Sequence, residues 1–274
     1  MRIISFLHLY DLFCSTAENN LVGSIPTEIG LLTTLTKLEL RSNEISGTIP
    51  TEISLLTSLS GLHLNWNKLT GSIPTQLGEL RLLDETVTTE IRYLSTLKEL
   101  QLHTNALTGQ IPTEIGQLTS LTFLDLEENQ LSGTIPTELG LLDNLRTIFL
   151  SINQLTGTIP TQLGTLEGLR ELWISDTGDD GIKGTIPTEL GSLSALESLY
   201  LQNNQLTGTI PIGLRALNIA EFDVSGNQLA IDTDHDGVPD YLDQCPDEGG
   251  FIHADGCPVD SDNDGVRVRR IAGF

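Results

Sequence analysis

At 274 residues the chain is long enough to bury a sizeable core in one or two domains. Its formal net charge of -23, from 37 acidic against 14 basic side chains, excludes a nucleic-acid backbone as partner because the phosphates would be repelled, and favours cationic partners or metal ions. Three cysteines exclude a disulfide-built scaffold, and no run of 18 apolar residues that could span a membrane occurs.

Residues 1–13 have two readings. Arg2, the mostly apolar stretch 3–10 and the small residues Ser15 and Ala17 together read as the remnant of a secretory signal. The same stretch also runs in frame with the remainder of the chain, Cys14, Thr16 and Asn19 holding the places of a worn first repeat.

The chain then repeats itself. The tetrapeptide G-x-I-P begins at Gly23, Gly47, Gly71, Gly109, Gly133, Gly157, Gly184 and Gly208, with a dominant spacing of 24. Around it the pattern L-x-x-L-x-L-x-x-N-x-L recurs, as in Leu121, Leu124, Leu126, Asn129 and Leu131. In L-x-L the two leucines point to one side of a short strand and the residue between them to the other. Stacked strands of this kind form one parallel sheet with a leucine core behind it. After each strand the chain must turn sharply, and an inward asparagine can bond backbone groups of its own and the neighbouring turn. Asn19, Asn43, Asn67, Asn105, Asn129, Asn153, Asn204 and Asn227 hold that place.

This is the leucine-rich repeat signature, and the LTGTIP and LSGTIP versions resemble the plant-type repeats of receptor-like kinases, receptor-like proteins and polygalacturonase inhibitors from about Cys14 to Leu229. The resemblance implies an α/β solenoid over 14–230, of about nine repeats, coiled into a right-handed superhelix with one parallel β-sheet on its concave face and extra strand on the flank. It also implies a non-catalytic, extracellular or cell-surface scaffold that recognises a protein, peptide or glycan. No kinase, transmembrane segment or flanking cysteine cap follows, so the expectation is an ectodomain-like part of such a protein or an independent secreted relative.

Two repeats depart from the spacing. Asn67 to Asn105 spans 38 residues, two repeats less ten, and 87–91 still match I-P-T-E-I, so one repeat is incomplete near 78–96. Either a helical bulge fills that stretch or a piece of sequence is missing from it. Gly157 to Gly184 spans 27, and Asp176 to Gly181 replaces the asparagine turn with a longer acidic one expected to project from the sheet edge.

The column between the paired leucines reads Glu39, His63, Gln101, Asp125, Phe149, Trp173, Tyr200 and Asp223, so three aromatics are consecutive. Phe123 and Ile152 fall in flanking columns, and Asp125, Glu127, Glu128 and Asp176 border the group. Exposed aromatics with a polar rim are the stuff of binding hot spots, and aromatics also simply suit strand surfaces. Phe123, Phe149, Ile152, Trp173 and Tyr200 are therefore the candidate ligand-binding residues. His63 and Trp66 lie beyond the incomplete repeat and are secondary.

Ten aspartates crowd between Asp232 and Asp264, which marks a boundary near Ala230 and sets off a tail, 231–274. Asp232, Asp234, Asp236, Asp240 and Asp243 stand at positions 1, 3, 5, 9 and 12 of a loop with Gly237 at position 6. Calcium takes six to eight oxygen ligands in such a loop, and position 7, Val238, would lend its carbonyl. Cys245 and Cys257 sit close together inside this tail while Cys14 is far away, which makes 245–257 the natural bridge. With Cys245-Pro246 and Gly256-Cys257-Pro258, the tail resembles thrombospondin type 3 repeats, a small calcium-stabilised coil whose family roles are adhesion and matrix contact. A second loop opens with Asp260, Asp262, Asp264 and Gly265 but has Val268 and Ile271 at ligand places, so it looks truncated.

Three function classes remain. The first is an extracellular recognition or adhesion scaffold with calcium in its tail; the second is an inhibitor of a secreted cell-wall hydrolase, or an ectodomain fragment of a receptor-like protein. The third, an enzyme, lacks support: the five histidines are scattered, and neither a nucleophile elbow nor a phosphate-binding loop is present. No N-x-S/T sequon occurs, so heavy N-glycosylation is not expected.

Overall fold

The structure, a computed structural model, describes residues 13–15, 19–78, 81–82, 91–92 and 96–232. Nine short strands form one parallel sheet: Phe13–Ser15, Lys37–Glu39, Gly61–His63, Glu99–Gln101, Phe123–Asp125, Thr147–Phe149, Glu171–Trp173, Ser198–Tyr200 and Glu221–Asp223. Their pairing keeps the sequence repeat in register, Leu124 beside Ile148 and Leu172 beside Leu199. Period-two alternation puts both leucines of each L-x-L inside, so Leu124 and Leu126 are fully buried. Every buried hydrophobic side chain among the described residues is Leu or Ile. At about 1.5–3 kcal/mol per fully buried side chain, that aliphatic stack is the main driving force for the fold.

The other two sides of each coil derive from the rest of the motif. A second sheet of six parallel strands, including Lys68–Gly71, Ala106–Gln110, Gln130–Thr134 and Gln154–Thr156, runs along the flank, and Lys183–Thr185 pairs with Gln205–Thr207 beyond it. A bridge between Gly157 and Ile182 joins the two parts. Opposite the concave sheet, P-T-E-L-G folds into a 3-10 turn of three to five residues rather than an α-helix, as at Thr137–Leu141. Proline fixes the approach to the turn, and Gly140 lets the next one pack close: a Cβ there would lie 2.5 Å from the carbonyl oxygen of Gln162. Among the described residues only the last coil, where Pro211-Ile-Gly-Leu breaks the pattern, carries an α-helix, Ile212–Arg215.

The asparagines knit neighbouring coils together. Asn129 Oδ1 accepts the amide of Leu107 in the preceding repeat at 3.1 Å, while its Nδ2 donates to the carbonyls of Leu102, Leu126 and Glu127, each at 3.1 Å. Asn67, Asn105, Asn153 and Asn227 repeat this pattern. In the 27-residue repeat Thr177 takes the place: its hydroxyl donates to Asn204 Oδ1 and accepts the amide of Ile182 at 2.9 Å. A shorter side chain thus sits between two groups that elsewhere bond directly.

The incomplete repeat does not interrupt the concave sheet. Gly61–His63 pairs directly with Glu99–Gln101, Leu62 beside Leu100, so the face closes across the gap. The four described residues within 81–92 form an antiparallel pair, Arg81 with Arg92 and Leu82 with Ile91, rather than the helix that was one expectation for this stretch. In the acidic turn Gly178, Asp179 and Asp180 are exposed, whereas Asp176 is held by Asn203 Nδ2 at 2.8 Å.

Asn129→Ala strands one buried amide and leaves three carbonyls short of a donor, and an unsatisfied buried polar group costs about 1–3 kcal/mol. Urea unfolding should register a loss of about 3 kcal/mol. Asn144→Ala, which removes one exposed bond to Thr119, should cost under about 1 kcal/mol.

Candidate ligand-binding face

The leucine and isoleucine core leaves the described aromatic rings outside it, and most gather on the concave sheet. Register places Asp125, Phe149, Trp173, Tyr200 and Asp223 side by side on successive strands. Phe149 and Trp173 stack with ring centroids 4.0 Å apart and planes at 29°. Trp173 meets Tyr200 edge-on at 5.2 Å, and Phe123 meets Phe149 edge-on at 5.8 Å. Four of the five expected ligand residues therefore form one continuous row. The rings are half-buried rather than openly exposed, because each covers the next. Such pairs contribute about 0.5–1.5 kcal/mol each beyond their area, so the row is stiff before any ligand arrives.

Polar handles add to that stiffness. Trp173 Nε1 donates to Ser198 Oγ at 2.9 Å, and the Tyr200 hydroxyl donates to Glu221 Oε2 at 3.3 Å. Burial, then the charge of Glu221, pushes the Tyr200 phenol up from its ordinary value. Ile152, the fifth candidate, stands beside the row, 49% exposed and with φ of 54°. The residue before the ladder position takes this left-handed conformation in repeat after repeat: Ser42, Trp66, Thr104, Glu128, Ile152, Asp176 and Asn203. It disfavours a β-branched side chain most, by roughly 1–2 kcal/mol.

Carboxylates edge the rings. Asp125 is buried, and burial pushes its carboxyl up to about 7, against a bond from the amide of Glu127 that favours the charged form. Its Oδ2 lies 3.7 Å from His103 Nε2, and burial lowers the His103 imidazole. Glu127 is raised by burial and then by Glu128 and Asp176; Glu171 is raised by burial and then by Glu197 and Glu221. The C-terminal half of the face thus carries crowded acids with few cations.

The N-terminal half is compensated. His63 is buried with Nε2 2.8 Å from Glu99, and Lys37 lies 3.5 Å from Glu99 and 3.9 Å from Glu39. Trp66, 54% exposed, meets His103 edge-on at 5.9 Å. His103 was not a sequence candidate, and it joins Trp66 to Asp125 and so to the aromatic row. The equal offset of 38 between Leu64 and Leu102 and between Asn67 and Asn105 was the available signal that these repeats would be neighbours.

Among the described residues no three His, Cys, Asp or Glu side chains are grouped to hold a metal ion. Of the expected calcium ligands only Asp232 is described, and its carboxylate is 1% exposed, 3.7 Å from Arg215 Nη2. Asp234, Asp236, Val238, Asp240, Asp243, Asp260, Asp262 and Asp264, and the cysteines Cys245 and Cys257, lie outside the described residues.

A family model described as leucine-rich repeat region matches residues 84–210, and one described as leucine rich repeat matches 34–56 and 58–80. The chain is a leucine-rich repeat protein. No curated protein sequence matches it. Among solved structures this leucine-rich repeat chain is similar to the plant peptide hormone receptor RGFR1 in complex with RGF2, at 38% identity over 78% of this chain and 32% of that one, with a TM-score of 0.69. It is similar to the Arabidopsis receptor kinase HAESA ectodomain in complex with an IDA peptide hormone, at 32% identity over 79% and 34%, with a TM-score of 0.68. A plant ice-binding protein also matches, at 28% identity over 77% of this chain and 70% of that one, with a TM-score of 0.56. The chain spans about a third of the length of the two receptor chains.

Asp125 binds its proton more tightly folded than unfolded, so its contribution to stability is full below about pH 3.8 and is lost as pH rises to about 7. Asp125→Asn, which keeps the acceptor for the Glu127 amide, should flatten that slope and stabilise the protein at pH 8 by about 1–2 kcal/mol in thermal unfolding.

Proposed function

We propose that this chain is a non-catalytic, extracellular recognition scaffold that binds an extended peptide or protein segment along its concave face. The observation that carries the reading is the row Phe123, Phe149, Trp173 and Tyr200, four mutually packed rings on a protein whose described core holds only Leu and Ile. Pre-packed rings offer a partner large apolar area at little entropic cost. Ile152 extends the row at a conformation costly for isoleucine, which supports a role other than stability. The bordering acids, Asp125, Glu127, Glu128 and Asp176, favour a partner with a basic group next to its apolar one. The likeness to two receptor ectodomains solved with peptide hormones supports the same reading.

The test begins with a peptide or protein selected on the immobilised full chain. Trp173→Ala should weaken binding roughly thirtyfold by calorimetry, the loss expected for a central aromatic worth about 2 kcal/mol. Asp223→Ala, in the same column but outside the rings, should change it less than about threefold. Equal small effects would place recognition elsewhere.

For the tail we propose calcium binding by Asp232, Asp234, Asp236, Val238, Asp240 and Asp243, with a Cys245–Cys257 bridge. Their oxygen donors suit a hard cation, which would draw the acidic tail together by charge neutralisation. Within this set Asp232 has a competing partner, since its carboxylate is already buried against Arg215. Calorimetric titration of the full chain should show saturable calcium binding in the range of extracellular modules, about 10⁻⁴–10⁻³ M, abolished by Asp236→Ala. A flat titration refutes the site.

A second reading concerns another surface. The flank sheet presents Ser and Thr at regular places and the chain resembles a plant ice-binding protein over most of that protein's length, so we propose that the chain also binds ice.

A further inference from the structure

Building on the ice-binding reading, we infer that the ice-contacting surface is the hydroxyl and methyl array around the glycines of the flank sheet, centred on Thr134, Thr156 and Thr158. The position after each G-x-I-P glycine faces solvent and has no core to satisfy, yet seven of its eight occupants are Ser or Thr, with Gln110 the exception. None is charged, on a chain of net charge -23. Strand propensity accounts for threonine at such places; it does not account for how the side chains are held.

Each of these glycines has positive φ, 75° at Gly71 and 83° at Gly157, and lacks the side chain that would otherwise stand in the sheet surface. At four of them, Gly71, Gly157, Gly184 and Gly208, the methyl group of the preceding repeat's threonine lies over that spot; Gly47 and Gly109 meet a serine Cβ, and Gly133 meets Gln110. A Cβ built on Gly71 would come within 2.8 Å of Thr48 Cγ2, and one on Gly157 within 2.8 Å of Thr134 Cγ2; Gly184 and Gly208 repeat this with Thr158 and Thr185 at 3.1 and 3.0 Å. A β-branched side chain has few χ1 rotamers, so a methyl seated over glycine fixes where the hydroxyl points. The same seating therefore recurs at these four glycines.

The array has two dimensions. Thr156, at the end of its strand, and Thr158 flank Gly157; across strands Thr134 pairs with Thr156 and Thr185 with Thr207, about 4.8 Å apart. Ser132 and Thr207 each donate to the carbonyl of the preceding repeat's glycine at 3.4 Å, a long bond that leaves the oxygen lone pairs available to water. Lys183 interrupts the pattern between its two halves. An ice plane is a periodic surface of water molecules, which recurring hydroxyls can meet by joining its hydrogen bonds and methyls by filling its hollows.

The full chain would be tested for thermal hysteresis and inhibition of ice recrystallisation, with Thr134→Lys, Thr185→Lys and the concave-face variant Asp223→Ala, outside the aromatic row, in parallel. The expected result is activity in the parent chain, a loss of at least tenfold in each lysine variant, and none in Asp223→Ala, all with unchanged circular dichroism. If one lysine variant fails to fold, the other carries the comparison. No activity in the parent chain overturns the ice reading and this assignment together. Activity that survives both lysine substitutions, or that disappears with Asp223→Ala, leaves ice binding standing and overturns the assignment to this face.

Discussion

A coil that turns back on itself every 24 residues buries backbone N–H and C=O groups that no strand or helix can pair, and the asparagine amide is what satisfies them. Each of these side chains bonds both its own turn and the preceding one, as Asn153 does with Leu131, Leu126 and Leu150. The amide thus closes the turn and sets the offset between coils at once. Concave-strand register depends on that offset, and so do the columns in which outward side chains meet. Phe149 stacks on Trp173 where strand pairing and the Ser175 amide, donated to Ser151 Oγ at 3.0 Å, join their coils, with the Asn153 bridge on one side of that junction and the Thr177–Asn204 pair on the other.

The two exposed surfaces take opposite chemistry from the same frame. On the concave side the strands are direct neighbours, so large rings fill the space between repeats and exclude water from one another and from Asp125. On the flank the glycine of G-x-I-P removes a side chain from each coil, and at most of these glycines a Ser or Thr of the preceding coil lies across the gap. One surface is irregular, acidic and aromatic, suited to a single specific partner; the other carries recurring Ser and Thr with few charges, Lys183 and the Lys68–Glu44 pair among them. The left-handed residue before each ladder position lies beside the concave row, and there Ile152 and Trp66 keep conformations that glycine or asparagine would hold with less strain. Stability would be gained by replacing them, which is the usual mark of residues retained for contact.

Much of this was legible in the sequence. The L-x-L spacing foretold the strands, their inward leucines and the columns, and the asparagine places foretold the ladder; in the 27-residue repeat the spacing pointed to a longer acidic turn but not to Thr177 as the bridging residue. Periodicity specifies which side chains become neighbours but not how they fill space. It could not indicate that Phe149 and Trp173 would stack face to face, that the rings would half-bury one another, or that Asp125 would be covered enough to hold a proton near neutrality. Nor does spacing reveal that a coil ten residues short lets the sheet close directly between His63 and Gln101. That closure brings Trp66 onto His103 and extends the candidate face past Asp125. The 3-10 turns were hidden for a related reason: T-E-L-G is helix-compatible, and only the close approach at glycines such as Gly140 shortens it.

The asparagine bridges hold the coils in step alongside the strand pairing, and amide hydrogen exchange tests this most directly. The amides of Ile45, Leu69, Leu107 and Leu131, each donated to an asparagine one repeat on, should exchange only by global unfolding and share one opening free energy. Exchange at these four amides that is fast and local, while the concave-strand amides stay protected, would contradict the account.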